Sequence, residues 1–310
     1  MQNIISFFRR WKNLLKGILF MSILILVIVE LSRMEKTISF AAIKSILSTL
    51  SVLKIFSLLF FGMLAVSPMI LYDYILSNEL GKKISIAKLI ENSWTINSLN
   101  NLIGFAGLVD VGLRYSYFSE EENEGKTMQG ISKVMPYFMS GMSILSFISL
   151  FLLFFYPKND SLKTYSFVLV IATFILPVLL FLSPRKSLNY FGNLSYKKII
   201  ALIGTSVLDW SFVSGFFFYV GRVLGYNVSL ANILPLFCIS ICIGIVSMIP
   251  GSLGSFDLIM IGGLLHLSIN NNEAATWLLL FRIFYYIIPF FIGLFLFIKS
   301  MGSQINNKFL

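Results

Sequence analysis

Histidine occurs once and cysteine twice in 310 residues, and only 12% of the residues are charged. One histidine, His266, cannot build the multi-histidine ligand set of a catalytic zinc, and no H-E-x-x-H, G-x-S-x-G or C-x-x-C pattern is present. The missing G-x-x-x-x-G-K-[ST] loop argues against drive by ATP. Cys238 and Cys242 lie four apart in an uncharged run, where helical spacing places them on one face as small packing residues. They imply neither a disulfide nor a metal site, and no cofactor is expected. No Gly/Ser linker, low-complexity tract or soluble segment divides the chain, so residues 1–310 read as a single membrane domain. Soluble domains carry about 25% charged residues. A chain with half that share, 57% hydrophobic residues and a mean hydropathy of +0.86 is a polytopic membrane protein. Acidic residues are also scarce, 14 against 24 basic, which gives a net charge of +10. In an apolar chain that excess belongs to cytoplasmic loops and anionic headgroups, so no nucleic-acid partner is inferred.

The apolar runs predict an all-α protein of about eight transmembrane helices with two broken or re-entrant segments. Arg9, Arg10, Lys12 and Lys16 precede the apolar stretch 17–29, and no small-x-small cleavage site follows. This is expected to be a retained first span with its N-terminus inside, followed by a surface helix within 33–54. A second span is expected over Ile55–Tyr72, ending near Pro68 and Asp73. Later spans are expected over Val134–Tyr156, Thr164–Pro184, Ile199–Gly221, Leu230–Ile249 and Ala274–Ile298, with a half-length element at Leu258–Leu267. The basic loops at Lys82, Lys83 and Lys88 and at Arg185–Lys198 are both expected in the cytoplasm. Glu120, Glu121, Glu122 and Glu124 read as a solvated loop.

Two segments break the pattern. Ser93–Tyr117 is hydrophobic yet contains Asn97, Asn100, Asn101, Gly104, Gly107, Asp110 and Arg114. The second-half run Pro250-Gly251-Ser252-Leu253-Gly254-Ser255-Phe256-Asp257 interrupts an otherwise uncharged stretch, and Arg282 follows inside the last span. Broken backbone at membrane depth survives only where protein or a cavity satisfies it. A pair of such breaks in the two halves points to internal repeats and a transport site between them. The half-helix N–H end suits a phosphate, with Arg114 or Arg282 adding a cationic contact. Asp110 and Asp257 fit either a cationic headgroup or neutralisation of those arginines. An intrahelical Asp110–Arg114 pair is an equal alternative. Asp209 fits a translocation residue or a helix–helix hydrogen bond, and the three asparagines fit a polar lining or interhelical bonds. Tyr285 and Tyr286 fit the site or ordinary packing. Unpaired charges at membrane depth cost at least about 2.5 kcal/mol each, so Asp110, Arg114, Asp257 and Arg282 are expected to border one shared cavity.

The run Pro250–Asp257, followed by Leu279-Leu280-Phe281-Arg282-Ile283-Phe284-Tyr285-Tyr286-Ile287-Ile288-Pro289, resembles the lysylphosphatidylglycerol synthase transmembrane family, whose membrane part is flippase-like. The first-half stretch Ser93–Gly107, continuing to Leu113-Arg114-Tyr115, resembles it too. The family pattern is Pro-Gly-Gly where Ser252 stands here as the third residue. The resemblance implies a bacterial plasma-membrane protein that moves an aminoacylated phosphatidylglycerol between leaflets and lowers susceptibility to cationic antimicrobial peptides. It implies anionic and aminoacylated phospholipids as partners, with a separate lipid-modifying enzyme and a homo-oligomer as further candidates. Full-length members carry a soluble domain that transfers lysine from tRNA. The 310 residues hold no residues for that chemistry, so this chain by itself is not expected to be an enzyme. The alternatives are the membrane half of a lysyltransferase with catalysis on another chain, or a transporter of a glycolipid or polyprenyl-linked sugar.

Overall fold

The computed structural model describes residues 48, 50–103, 107–119, 124–155, 162–182, 194–247 and 254–309. The expected first span at 17–29, most of the surface helix, Glu120–Glu122, and Gly104, Pro250, Gly251 and Ser252 lie outside them. Thirteen α-helices and no strand occur among the described residues: α1 Val52–Val66, α2 Met69–Glu79, α3 Ile86–Ile103, α4 Leu108–Phe118, α5 Glu124–Val134, α6 Ser140–Phe155, α7 Ser166–Thr173, α8 Ile175–Leu182, α9 Tyr196–Val223, α10 Leu230–Val246, α11 Ser255–His266, α12 Asn271–Arg282 and α13 Ile288–Phe309. A 3-10 segment, Met135–Met139, joins α5 to α6, and a π-turn, Ile283–Ile287, joins α12 to α13. The protein is an all-α polytopic membrane protein.

Among the described residues, five helical runs are long and apolar enough to cross a membrane: Val52–Glu79, Glu124–Phe155, Leu162–Leu182, Tyr196–Val223 and Asn271–Ser300. The first of these outruns the expected Ile55–Tyr72. The helix bends at Ser67–Pro68, where Ile70 N–H and Leu71 N–H bond back to Ser67 and Pro68 carbonyls at 3.1 and 3.0 Å. Those shorter-range bonds bridge the donor that proline lacks, and the helix continues to Glu79. Asp73 therefore lies inside a span, not at its end.

Side-chain contacts fix the direction of each run. Lys54 Nζ donates to the Val223 carbonyl at 2.9 Å, so the start of α1 meets the end of α9. At the opposite end Glu79 accepts from Lys198 at 2.5 Å and Lys133 at 3.1 Å. Helix α3 starts at that same end, since Glu91 faces Lys299 at 3.8 Å, and α4 returns to it, since Thr127 Oγ1 bonds the Phe118 carbonyl at 3.3 Å. Helices α10 and α11 form a second hairpin, with Ser247 Oγ 2.8 Å from Ser255 Oγ across its tip. This hairpin opens at the Lys54–Val223 end, where Trp277 of α12 donates to the Phe217 carbonyl at 2.8 Å.

The two hairpins thus enter from opposite ends. Each is flanked by matching spans: 28 residues before each, then 32 residues after the first and 30 after the second. The hairpin helices also match, 18 and 11 residues against 17 and 12. Equal order with reversed direction is an inverted repeat, with the α7–α8 crossing as the connection. Each second span is interrupted at the equivalent place, by the 3-10 segment in one half and by the π-turn in the other.

The interior packs into two cores, each drawing on both halves. One core gathers Phe217, Trp277, Phe237, Phe256 and Phe281, with the Phe217 and Trp277 rings stacked at 5.2 Å. The other gathers Tyr72, Leu99, Phe118, Leu202 and Phe290. Tyr286 and Ile287 of the π-turn pack against both cores. Exposed phenylalanines, among them Phe56, Phe60, Phe151 and Phe154, cover the outside, as a lipid-facing surface requires.

Candidate functional site between the two hairpins

Helix α4 begins immediately after Gly107, which holds φ +82°, a conformation that costs a side-chain-bearing residue about 1–2 kcal/mol. Helix α11 begins the same way after Gly254, at φ +93°. Each second hairpin helix then carries an aspartate in its first turn, Asp110 and Asp257. An anion there complements the N-terminal dipole. Asp257 Oδ2 accepts the Gly254 N–H at 3.0 Å, which is half of a capping box, glycine having no side chain for the other half. The backbone donor expected to face a phosphate is therefore taken by the protein's own carboxylate.

The first cluster centres on Arg114, which is 1% exposed. Its Nε donates to Asp73 Oδ1 at 2.7 Å, Nη1 to Asp110 Oδ1, and Nη2 to Asn97 Oδ1 at 2.9 Å. Asn97 Nδ2 in turn donates to Asp73 Oδ2 at 3.2 Å and to the Ser93 carbonyl at 2.8 Å. The guanidinium lies 4.9 Å from the Phe138 ring centre. Helices α2, α3 and α4 and the 3-10 segment thus converge on one buried cation. The second cluster joins α11 to α12. Arg282 donates through Nε and Nη2 to Asp257 at 3.1 and 2.8 Å, a two-point fork, and lies 5.7 Å from the Tyr286 ring.

The four ionisable groups expected around one cavity therefore make two ion-pair clusters. Arg114 finds both an intrahelical partner, Asp110, and a distant one, Asp73. Between the clusters lies a polar line. Asp209 of α9 is buried and adjacent to Tyr72, and it feels Arg114 electrostatically. Tyr285 interacts with Asp209, Tyr72 and Asn101, and Tyr286 with Arg282 and Asp257. Asn101 also contacts Met69 Sδ at 3.8 Å. The buried Asn100 Oδ1 has no hydrogen-bond partner among the described residues. Ser206, one turn before Asp209, and Trp210, the residue after it, both donate to the Phe138 carbonyl at 2.8 Å, which fixes α9 against the 3-10 segment.

Asp73, Tyr72 and Phe138 stand in this arrangement without having been candidates. Asp73 sits inside a 28-residue apolar run, and a lone carboxylate at that depth is the signal that points to it. Four aspartates face two arginines along the line, a formal excess of two negative charges. Outside it, an apolar groove of about 370 Å³ runs between α1 and α9, lined by Phe61, Leu64, Phe212, Phe216 and Tyr219. His266 is exposed at the end of α11, and Cys238 accepts from Ser149 Oγ at 3.4 Å with both cysteines reduced. No group of metal-ligating residues occurs among the described residues.

The family model for the lysylphosphatidylglycerol synthase transmembrane region matches residues 14–293, which include both hairpins and every charged residue of the line. The chain belongs to this family. Among curated relatives, the phosphatidylglycerol lysyltransferase of Bacillus subtilis strain 168 is 30% identical over 292 residues, 91% of this chain and 34% of the relative. The protein of the same name from Staphylococcus aureus strain COL is 30% identical over 239 residues, 76% of this chain and 28% of the relative. That from strain MRSA252 is 29% identical over 240 residues. The chain spans about a third of the length of the curated relatives it matches. The matched third is the membrane region of the family, and the inverted hairpins belong to it.

Proposed function

We propose that this chain translocates a phospholipid with a cationic aminoacyl headgroup, lysylphosphatidylglycerol above all, between the leaflets of the bacterial plasma membrane. The observation that carries the reading is the acid excess: buried Asp73, Asp110 and Asp209 and part-exposed Asp257 against buried Arg114 and Arg282, with hairpins that enter from opposite ends. A headgroup with two ammonium groups and one phosphate complements that excess. Its phosphate would meet Arg282 and its ammonium groups the aspartates. The groove between α1 and α9 would carry an acyl chain in the lipid phase. Lysines cluster at the Glu79 end, where Lys82, Lys83, Lys88, Lys133, Lys197 and Lys198 lie, and the positive-inside rule makes that end cytoplasmic. Export of the lipid would make the outer surface less negative and weaken the binding of cationic antimicrobial peptides.

In cells that synthesise lysylphosphatidylglycerol, Asp257→Asn and Arg282→Met should lower the lipid in the outer leaflet, read with an impermeant amine reagent, and leave the total unchanged. An unchanged outer leaflet with correctly inserted variant protein would sink the proposal. The name of the relatives supports a second reading, the membrane part of a phosphatidylglycerol lysyltransferase whose transfer chemistry is on another chain. That reading expects total lysylated lipid to fall instead. A polyprenyl phosphate or anionic glycolipid suits the acid excess poorly.

A further inference from the structure

Asp209 is the carboxylate of the line with no cation of its own. It is 5% exposed, at the middle of the 28-residue α9. The charged and titratable groups around it are Tyr72 from α2, Arg114 from α4 and Tyr285 from the π-turn. Arg114 is already committed, with its three nitrogens on Asp73, Asp110 and Asn97. Tyr72 is 1% exposed, and its hydroxyl and Asp209 Oδ1 both lack a hydrogen-bond partner among the described residues. An ionised carboxylate at membrane depth with no cation of its own, beside neutral tyrosine hydroxyls, is strongly disfavoured, and such a group takes a proton instead. The same carboxylate can give up that proton only when another cation arrives to replace it.

We propose that Asp209 is an exchange site that holds either a proton or an ammonium group of the aminoacyl headgroup, so that one proton moves in for each lipid moved out. This rests on the lipid-translocation reading above. The step balances. Protonated Asp209 releases H⁺ to the side the site faces as the headgroup ammonium takes its place, and after translocation the ammonium leaves and the carboxylate takes H⁺ from the other side. A headgroup with two ammonium groups and one phosphate carries one net positive charge, so the exchange is electroneutral. That matters because an outward-moving cation opposes an inside-negative potential. Tyr72 and Tyr285 complete the site as neutral hydrogen-bonding groups that serve both occupants.

The test uses the full chain in vesicles containing lysylphosphatidylglycerol, with leaflet distribution read by an impermeant amine reagent. A pH difference should drive the lipid toward the acidic side, approaching about tenfold asymmetry per pH unit, and a potassium diffusion potential alone should not. Asp209→Glu should keep the pH response and Asp209→Asn should lose it. A lipid distribution that follows the potential and ignores pH overturns the exchange while leaving translocation standing. An Asp209→Asn protein that still responds to pH overturns the assignment to this residue. No protein-dependent movement at all overturns the translocation reading, and the exchange with it. A second measurement needs neither variant nor transport. A hydrophobic carbodiimide, which adds to protonated carboxyls, should label Asp209 ahead of the ion-paired Asp73, Asp110 and Asp257, and lysylphosphatidylglycerol should protect it. Labelling of the paired aspartates with Asp209 spared would overturn the proposal.

Discussion

Replacing Arg114 with methionine removes the one cation shared by Asp73, Asp110 and Asn97 while keeping a side chain of comparable reach. Arg114 and Asp73 are 1% and 0% exposed, and Asp110 is 3% exposed. Two carboxylates would then stand in the interior with no counter-ion, and Asn97 would lose the donor at 2.9 Å. Breaking a buried pair by deleting one partner destabilises by about 3–5 kcal/mol. That is a large part of an ordinary stability margin of about 5–15 kcal/mol. Asp110→Asn should be milder, about 1.5–3 kcal/mol, because Arg114 keeps Asp73. The double variant Arg114→Met/Asp73→Asn should be less destabilised than the two single effects added, since it removes one of the stranded charges, with a coupling of at least about 1 kcal/mol. The measurement is SDS titration of the detergent-purified chain followed by far-ultraviolet circular dichroism. An Arg114→Met protein within about 1 kcal/mol of the parent would refute the reasoning, as would a double variant equal to the sum.

Other consequences are simpler to read. Gly254→Ala should destabilise by about 1–2 kcal/mol through backbone conformation, because none of the described residues comes within 4 Å of the added carbon; an effect below about 0.3 kcal/mol in the same titration would contradict it. Gly293→Ala should cost about 1–3 kcal/mol by a clash with Ser98 Oγ on α3, and Ser98→Ala in the same chain should recover part of it. Arg282→Lys keeps the charge but not the two-point fork on Asp257, so outer-leaflet delivery should fall while total lipid holds. Single cysteines placed at Lys83 and Lys197 should react with an impermeant maleimide only after permeabilisation, and reaction in intact cells would invert the assigned topology.

Much of the architecture is legible in the order of residues because membrane depth is unforgiving. Apolar runs long enough to cross mark the spans, and the breaks at Gly107 and Gly254 are visible because glycine and aspartate interrupt such runs rarely. Three features are not legible. The partnership of Asp73 with Arg114 links residues 41 apart, and no local pattern encodes it. The π-turn at Ile283–Ile287 inserts its extra residue inside an unbroken apolar stretch, so periodicity hides it. The opposed entry of the hairpins is a matter of direction, which follows only when the crossings between them are counted. Counting the broken segments as spans obscures that parity. Expecting the four charges to border one shared cavity followed from energy, and the side chains meet that energy in two clusters: each arginine finds enough carboxylate nearby, and tyrosines carry the connection between them.

The inverted relation also shows where the two halves stop being equivalent. Asp110 and Asp257 occupy the same position after the same left-handed glycine, yet their arginines come from different elements. Arg114 lies on the hairpin helix itself and is tied outward to Asp73 of α2. Arg282 lies on the following span and holds the hairpin from outside. Each arginine nevertheless sits over an aromatic ring from the irregular segment of its half, Phe138 in the 3-10 segment and Tyr286 in the π-turn. The first hairpin therefore carries its charge pair with it and is tied to α2 through Asp73, whereas α11 of the second meets Arg282 through a less buried fork, with the Asp257 side chain 24% accessible against 4% for Asp110. Among the described residues, moving α11 from α12 breaks the part-exposed Asp257–Arg282 pair, while moving α4 from α2 strips a fully buried network. The second hairpin is thus the element that can move at the lower cost. Because it enters from the end opposite the lysine cluster, that movement would expose the polar line toward the outer leaflet.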